Sequence, residues 1–394
     1  MGRNTLVINC GSSSLKFAVY NEEESCFVKG VVERLGAEDP VLKWEKEGEK
    51  QTCELTSGAD HEIALRKVSE IALSGEQIHA VGHRVVHGAE RFKSTAVITD
   101  EMLQQVEACN HLAPLHNPAN LIGIRVAKQV FGDLPQVGVF DTAFHQTLAK
   151  EVFLYPIPYE LYEELGVRRY GFHGTSHHYI YQELANKLSK PLEQTSMICA
   201  HLGNGCSAAA AEQGESRDTT MGLTPLEGLV MGTRCGDIDP SLHGFLCREK
   251  GWTIEEVEVV LNKKSGLQGI SGVSNDMREL VQASNEGNDR AKLALDIFTF
   301  RLAKSISALR VSITNCDAIV FTGGIGEHNP WLRKKVIDRL GYLGCKIDGA
   351  ANDSNGKNTN GRISDDHSTV SVWVIPTDEE LMIARQTMQT ISDS

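Results

Sequence analysis

The hydrophobic pattern of the chain opens on an apolar run, Leu6-Val7-Ile8, that stops at Asn9. Gly11 and Ser12-Ser13-Ser14 follow, and an alternating segment then resumes from Leu15 to Tyr20 with Lys16 as its one charge. That pattern predicts strand, tight turn, strand. It recurs where Met197-Ile198-Cys199-Ala200-His201-Leu202 meets Gly203-Asn204-Gly205 and continues through Ser207 into four alanines. A third apolar run, Ala318-Ile319-Val320-Phe321, enters a glycine-rich turn, Gly323-Gly324-Ile325-Gly326-Glu327. Two matching hairpins roughly half the chain apart predict a duplicated α/β unit. Two such units facing each other would hold a nucleotide between them.

The rest of the pattern fills in around these hairpins. Residues 28–35 and 41–44 read as strands, with the charged stretch 45–50 as a solvated turn or edge. Helical spacing of Ile63, Leu65, Val68 and Ile71 predicts a helix over 61–73. Residues 78–89 read as a strand ending in an Arg- and His-rich loop. A rigid loop, 112–118, leads to a helix over 119–129, and 136–140 is a buried strand with Asp141 at its exit. Tyr155-Pro156-Ile157-Pro158 breaks the chain near the expected domain boundary. Domains are expected at 1–146 and 147–377, with a last helix, 378–394, packing back on the first. Thr175 or Ser176 starts a helix through Leu188. A Gly/Ser/Asn loop over 269–278 leads into a helix at 279–283, and 290–315 is a long amphipathic helix. Residues 349–368 read as a surface loop and 369–375 as a strand. Thr377 to Glu380 match a capping box.

Composition narrows the function. The 394 residues leave room for two domains, each with its own core. A net charge of −13 argues against nucleic acid as the main partner, because a phosphate-binding surface needs a basic footprint. An anion site must therefore be locally positive, and Lys16, Arg84, Arg234 and a metal ion are the candidates. The ten cysteines include no CxxC pair and read as reduced, mostly buried thiols of a cytoplasmic protein. No apolar run approaches the ~18 residues that span a membrane. The first run ends too early for a signal peptide, and Leu6 breaks the myristoylation pattern behind Gly2.

Several residues carry chemistry in these loops. The serines and backbone N–H groups of the first hairpin can hold an oxyanion that Lys16 neutralises. The loop is not a Walker A motif, and its plain alternative is a polar turn with a surface lysine. Arg84 presents a planar fork suited to a carboxylate or phosphate; its alternative is a surface Arg paired with an acid. Asp141 lies at the carboxyl end of a strand, where α/β sheets bind ligands, or else caps the next helix. His173, His177 and His178 lack HExxH spacing and nearby acid ligands, so His173 reads as an oxyanion donor rather than a metal ligand. Arg234 sits in a loop of small residues that lets it reach inward; otherwise it pairs with Asp237 or Asp239. Glu379 is also explained as a first-turn acid favoured by the helix dipole.

Six motifs together carry a resemblance. They are Asn9-Cys10-Gly11-Ser12-Ser13-Ser14-Leu15-Lys16, His83-Arg84-Val85-Val86-His87-Gly88, Phe172-His173-Gly174-Thr175-Ser176-His177, His201-Leu202-Gly203-Asn204-Gly205, Met231-Gly232-Thr233-Arg234, and Phe321-Thr322-Gly323-Gly324-Ile325-Gly326-Glu327. In this order the chain resembles the acetate kinase (acetokinase) family over essentially its whole length. It departs at Ala89, where the family usually has a second Gly, and at His328, where it usually has Asn. The polar stretch 349–368 looks individual to this chain. The resemblance implies an α/β fold of two duplicated ribonuclease-H-like domains, shared with sugar kinases, Hsp70 and actin, with a nucleotide cleft between the domains. It implies a cytoplasmic homodimer, Mg²⁺ (with Mn²⁺ as an alternative), and the reaction ATP + acetate ⇌ ADP + acetyl phosphate, with no nucleic-acid or membrane partner.

Carried over position by position, Asn9 and Glu379 would lie at the magnesium, and Lys16 and Ser12 at the nucleotide. Arg84 would hold the substrate carboxylate, with Val86, Leu115, Phe172 and Pro225 around its methyl group. Asp141 would be the essential acid, and His173 and Arg234 would stabilise the transferring phosphoryl group. His201, Leu202, Gly203, Asn204 and Gly205 would bind ATP, as would Asp276, Met277 and Arg278. Gly323, Gly324, Ile325, Gly326, Glu327 and His328 would complete that set.

Phosphoryl transfer needs positioning and charge neutralisation more than covalent help, so Arg234, His173 and a divalent cation are suitable tools. Acetate, with a pKa near the ~4 of Asp and Glu side chains, is ionised at neutral pH and needs no general base. Asp141 is therefore expected to orient metal-bound water or Arg234. Direct in-line transfer is expected, while the sequence leaves an acyl phosphate on Glu379 or Asp141 open. One methylene in an apolar pocket is worth only ~1–3 kcal/mol, so a propionate or butyrate kinase on the same scaffold is the near alternative. A non-catalytic nucleotide switch like Hsp70 or actin is the distant one. The charged set Arg84, Asp141, His173 and Arg234 argues for small-anion chemistry.

Overall fold

The structure, a computed structural model, describes residues 3–114 and 116–393. It divides into two compact units, Met1–Gln146 with Asp378–Ser394, and Thr147–Thr377. The first unit is built on an eight-stranded sheet of order β5-β4-β3-β2-β1-β6-β8-β7. Its strands are β1 (Thr5–Cys10), β2 (Ser14–Tyr20), β3 (Cys26–Glu33), β4 (Val41–Lys46), β5 (Glu49–Glu54), β6 (Ala80–Val85), β7 (Ala96–Val97) and β8 (Gln136–Phe140). The second unit holds β9 (Ser196–Leu202), β10 (Cys206–Glu212), β11 (Glu215–Thr219), β12 (Ala318–Thr322) and β13 (Ser371–Val374), in the order β11-β10-β9-β12-β13.

The two sheets repeat one plan. β1 pairs antiparallel with β2 and parallel with β6, which runs parallel to β8. Likewise β9 pairs antiparallel with β10 and parallel with β12, which runs parallel to β13. Each hairpin predicted from the hydrophobic pattern is thus the start of one copy. Strands paired in parallel at the centre of a sheet are covered on both faces and read as continuous apolar runs. Leu6, Val7 and Ile8 of β1 are accordingly buried, as are Ile319, Val320 and Phe321 of β12.

Helices cover these strands and position the site. In the first unit, helices Asn117–Phe131 and Glu379–Ser392 both pack on β1 and β6. The second of these, the closing helix, lies so near β6 that a methyl group on Gly82 would overlap Thr387 Oγ1 and come within 2.9 Å of Ile383 Cγ2. Its N-cap is Asp378, whose carboxylate accepts from Leu381 N at 2.8 Å and from the Tyr20 hydroxyl at 3.0 Å. The expected capping box from Thr377 is not formed; Thr377 N instead donates to Glu327. In the second unit, helix Gly174–Leu188 packs on β9, and helix Asp289–Leu309 on β9 and β10.

Several expectations need correction. The predicted helix over 61–73 is α-helical over His61–Lys67 and widens to a π-turn at Val68–Ala72. The 290–315 helix ends at Leu309 and tightens into a 3₁₀ turn, Arg310–Ser312. The 269–278 loop is shorter, because Gly266–Ser271 is helical and Asp276 caps a helix that begins at Met277. The glycine-rich turn after β12 is itself a helix, Gly323–His328, entered with Gly323 at φ +74°. The expected surface loop 349–368 contains a helix, Gly349–Asp353, capped by Asp348, and two isolated bridges, Ile347↔Ser364 and Arg362↔Trp373, around a fully buried Ile363. β5 went unread because its residues are nearly all polar and exposed, the mark of an edge strand. Five of the ten free thiols are buried rather than most of them, and Cys26 is exposed.

Candidate active site

In the first unit, parallel register sets Arg84 of β6 beside Val139 of β8, so Arg84 and the exit of β8 at Asp141 are neighbours. Arg84 Nη2 donates to Asp141 Oδ2 at 2.5 Å, and Nε donates to Oδ2 and Oδ1 at 3.0 and 3.1 Å. Arg84 Nη1 reaches Asn9 Oδ1 at only 3.4 Å. Burial works against the Arg84 charge, but Asp141 and Glu379 outweigh it and raise its pKa. Glu379 opens the closing helix. Burial pushes its carboxyl above the usual range, with Arg84 and Lys16 pulling down and Asp141 and Asp378 pushing up. Lys16 is exposed on β2 directly across from Asn9, and Ser12 is exposed in the intervening turn.

Val86 follows β6 and is buried. Its N–H donates to Asn120 Oδ1 at 3.0 Å, and Asn120 Nδ2 donates to the Cys10 carbonyl at 2.7 Å. Asn117 makes the same kind of tie to His87, through 3.1 and 2.9 Å bonds. One helix thus fixes both the loop after β6 and the end of β1. Leu115, expected beside the substrate methyl group, lies outside the described residues.

In the second unit, His173 is the N-cap residue of helix Gly174–Leu188 and adopts a left-handed φ of 55°. Its Nδ1 meets Ser207 Oγ at 2.9 Å, and Ser207 Oγ also meets His177 Nε2 at 2.8 Å. The His173 ring stacks on His201 with centroids 4.3 Å apart, and His201 Nδ1 bonds Ser176 Oγ at 2.8 Å. Arg234 Nη1 donates to the Pro225 carbonyl at 3.1 Å and touches Met231 Sδ at 3.6 Å. Among the described residues it pairs with neither Asp237 nor Asp239, and burial lowers its pKa. A Cβ built on Gly205 would lie 3.4 Å from Arg234 Nη1 and 3.5 Å from His173 Nε2, so both groups flank the hairpin turn. Phe172 is buried next to His173 in sequence.

The same unit contains a cavity of about 480 Å³ lined by Gly203, Asn204, Asn275, Asp276, Met277, Arg278, Gly324, Ile325, His328 and Asn329. That volume is within the usual ~300–1,000 Å³ of small-molecule sites. The structure brings three predicted segments together here and adds Asn275 and Asn329, which the sequence reading missed. Arg278 Nη2 and Nε chelate the Asp276 carboxylate at 2.6 and 3.1 Å, and these bonds hold the Asp276 pKa down at about 2. Other predicted residues stand behind the cavity. Leu202 is buried in β9, and Glu327 Oε1 turns inward to accept from Gly323 N at 2.9 Å and Thr377 N at 3.3 Å.

The profile of the Acetokinase family matches residues 4–385. An acetate kinase of Halothermothrix orenii is 49% identical over 396 residues, spanning 98% of this chain and 99% of its own length. The chain belongs to the acetokinase family. The crystal structure of Porphyromonas gingivalis acetate kinase shares its fold at a TM-score of 0.93 and 41% identity, covering 99% of this chain and 100% of that one. A propionate kinase from Francisella tularensis shares it at 0.92 and 43%, covering 98% and 99%. Family membership makes the chain a phosphotransferase whose acceptor is a carboxylate and whose donor is ATP.

Among the described residues no group of three or more His, Cys, Asp or Glu side chains forms a metal cage. Mg²⁺ does not require one, since it takes one or two carboxylates and completes its shell with water and phosphate oxygens. Asn9 Oδ1 and the Glu379 carboxylate are hard oxygen donors, and both lie beside Arg84. A cation there would offset the burial that favours the neutral Glu379. The donor set therefore fits Mg²⁺ in this acetokinase.

Proposed function

We propose that this chain is an acetate kinase that moves the γ-phosphoryl group of ATP to acetate, reversibly and by direct in-line transfer. Arg84 carries the reading. Its Nε and Nη2 are engaged by Asp141, which leaves Nη1, bonded only weakly to Asn9, for an incoming carboxylate. Asp141, expected from the sequence to orient metal-bound water or Arg234, bonds Arg84. In this mechanism it therefore holds the Arg84 fork in place and takes no proton, because acetate is already ionised. Val86, with Leu115, Phe172 and Pro225, would surround the methyl group. His173 Nε2 and Arg234 Nη1, which flank the Gly205 turn, would neutralise charge on the equatorial oxygens of the transferring group. The cavity between Gly203 and His328 would take the nucleotide, and Lys16 and Ser12 would contact its phosphates. Asn9 and Glu379 would hold Mg²⁺, which would screen the phosphate charge. The enzyme is read as a cytoplasmic homodimer.

Hydroxylamine trapping of the acyl phosphate tests the reading directly. Protein with Mg-ATP is given acetate, propionate, butyrate or no acid in parallel. A signal greatest with acetate is the expected result. A propionate maximum would instead support the second reading, motivated by the propionate kinase among the structural relatives. Nucleotide binding without signal from any acid would overturn both in favour of a non-catalytic switch.

A further inference from the structure

Arg333 is the largest fully buried side chain among the described residues. It stands on helix Pro330–Arg339, just past the glycine helix Gly323–His328. All five of its N–H groups have acceptors. Nε donates to Asn352 Oδ1 at 2.8 Å, and Nη1 donates to the carbonyls of Gly326 and Glu327 at 2.7 and 3.0 Å. Nη2 donates to the Asn352 carbonyl at 2.8 Å and to Asn355 Oδ1 at 2.6 Å. None of these acceptors is a carboxylate. Burial lowers the Arg333 pKa to about 10, with Asp353 opposing weakly through space.

A buried cation met only by dipoles is a demanding thing for a fold to keep. Its position explains what it does. The Gly326 and Glu327 carbonyls belong to the last turn of the glycine helix, whose C-terminal acceptors have no partners within that helix. A cation at that end also complements the helix dipole. At the other end, Glu327 Oε1 accepts from Gly323 N. Between these two holds, the helix presents Gly324, Ile325 and His328 to the cavity. Asn352 adds a second tie, its Nδ2 donating to the Pro330 carbonyl at 2.9 Å.

We propose that Arg333, Asn352 and Asn355 form a clamp that positions the glycine helix for nucleotide binding. The polar segment 349–355 is then a positioning element for ATP rather than a peripheral loop. Arg333 touches neither substrate in this role. The inference rests on the reading of the cavity as the nucleotide site.

Three variants separate the possibilities. Arg333→Lys keeps the charge but replaces a five-donor fork with a point charge. Asn355→Gly removes one acceptor while suiting the left-handed φ of 54° at that position. Asn204→Leu alters the cavity itself. KM for ATP, KM for acetate and kcat are measured for each, with thermal melts as a check on folding. The clamp predicts an ATP KM raised about tenfold in Arg333→Lys and about threefold in Asn355→Gly, with acetate KM and kcat within about twofold of wild type. If Arg333→Lys does not fold, Asn355→Gly decides. Unchanged ATP KM, or ATP and acetate KM rising together, overturns the clamp. Asn204→Leu raising ATP KM while the clamp variants are silent removes the clamp alone. Asn204→Leu without effect removes the cavity reading and the clamp with it.

Discussion

Ala89 has a φ of 49°, in the region where a Cβ crowds the backbone, and its N–H donates to His87 Nδ1 at 3.0 Å. The family's usual glycine would relieve that crowding, at ~1–2 kcal/mol, less the extra chain entropy that glycine loses on folding. Ala89→Gly should therefore raise stability by roughly 0.5–1 kcal/mol, read as a higher urea midpoint with unchanged slope. A lower midpoint would mean that the alanine methyl makes packing contacts outweighing the strain. At Val86 the expected change is in specificity. Trimming the buried side chain should lower KM for propionate relative to acetate by a factor within the ~10–200-fold range of one methylene. A constant ratio of the two KM values would remove Val86 from the pocket. Arg84, His173 and Arg234 stood out as candidates in the sequence because each puts a cationic or titratable side chain at a strand end or in a loop of small residues. Asn120 was not. A polar residue within an amphipathic helix reads as part of its wet face, and its partners lie 34 and 110 positions away. Ser207, which joins His173 to His177, hid among the alanines of β10 in the same way.

At the scale of elements, both hairpins could be read because apolar runs broken by glycine and serine specify strand and turn locally. The closing helix was expected to pack back on the first unit, and it does. How closely it approaches β6 could not be read, because that depends on a contact between Gly82 and Thr387, far apart in the chain. That contact matters to the site, since the helix carries Glu379 at its first turn and β6 carries Arg84 two residues after Gly82. Gly82→Ala should push the closing helix off β6, lowering stability by ~1–3 kcal/mol as overpacking does, and lowering kcat with it. Adding Thr387→Ala removes the overlapping Oγ1 and should restore part of both losses. If the double variant is no better than Gly82→Ala, the clash is not what displaces the helix. The segment 349–368 was misread for a related reason. Its composition is that of a solvated loop, but a capping Asp348 and the ties to Arg333 order it, and neither is visible as periodicity.

For the whole molecule, the abundance of acidic residues suggests that acid sensitivity would come from carboxylates. Ordinary carboxylates titrate near ~4. Glu379 and Glu380, raised above that range by burial, take up protons in the native protein and stabilise it as pH falls, so a loss of stability above pH 5 has to come from other groups. Two buried histidines, His83 and His87, and the half-buried His178 titrate there in the unfolded chain. Burial lowers His83 to about 4 despite its 2.8 Å bond to Gln136, and lowers His87 to about 3 and His178 to about 4. All three start from 6.5 in the unfolded chain. Between that value and their folded pKa, the unfolded chain binds protons that the native protein refuses. Stability is thus fully present above about pH 6.5 and falls as pH drops. His83 alone accounts for about 3 kcal/mol of loss by pH 4, at ~1.4 kcal/mol per pKa unit. Urea midpoints should hold steady from pH 8 to 7 and then fall measurably by pH 5. His83→Gln, whose amide can still bond Gln136, should flatten that fall. A midpoint indifferent to pH between 7 and 5 would show that these histidines take up protons in the native state. The sequence offered no sign of this, because each histidine sits in or beside a motif that reads as chemistry, and only the covered sheet and helix faces make them neutral.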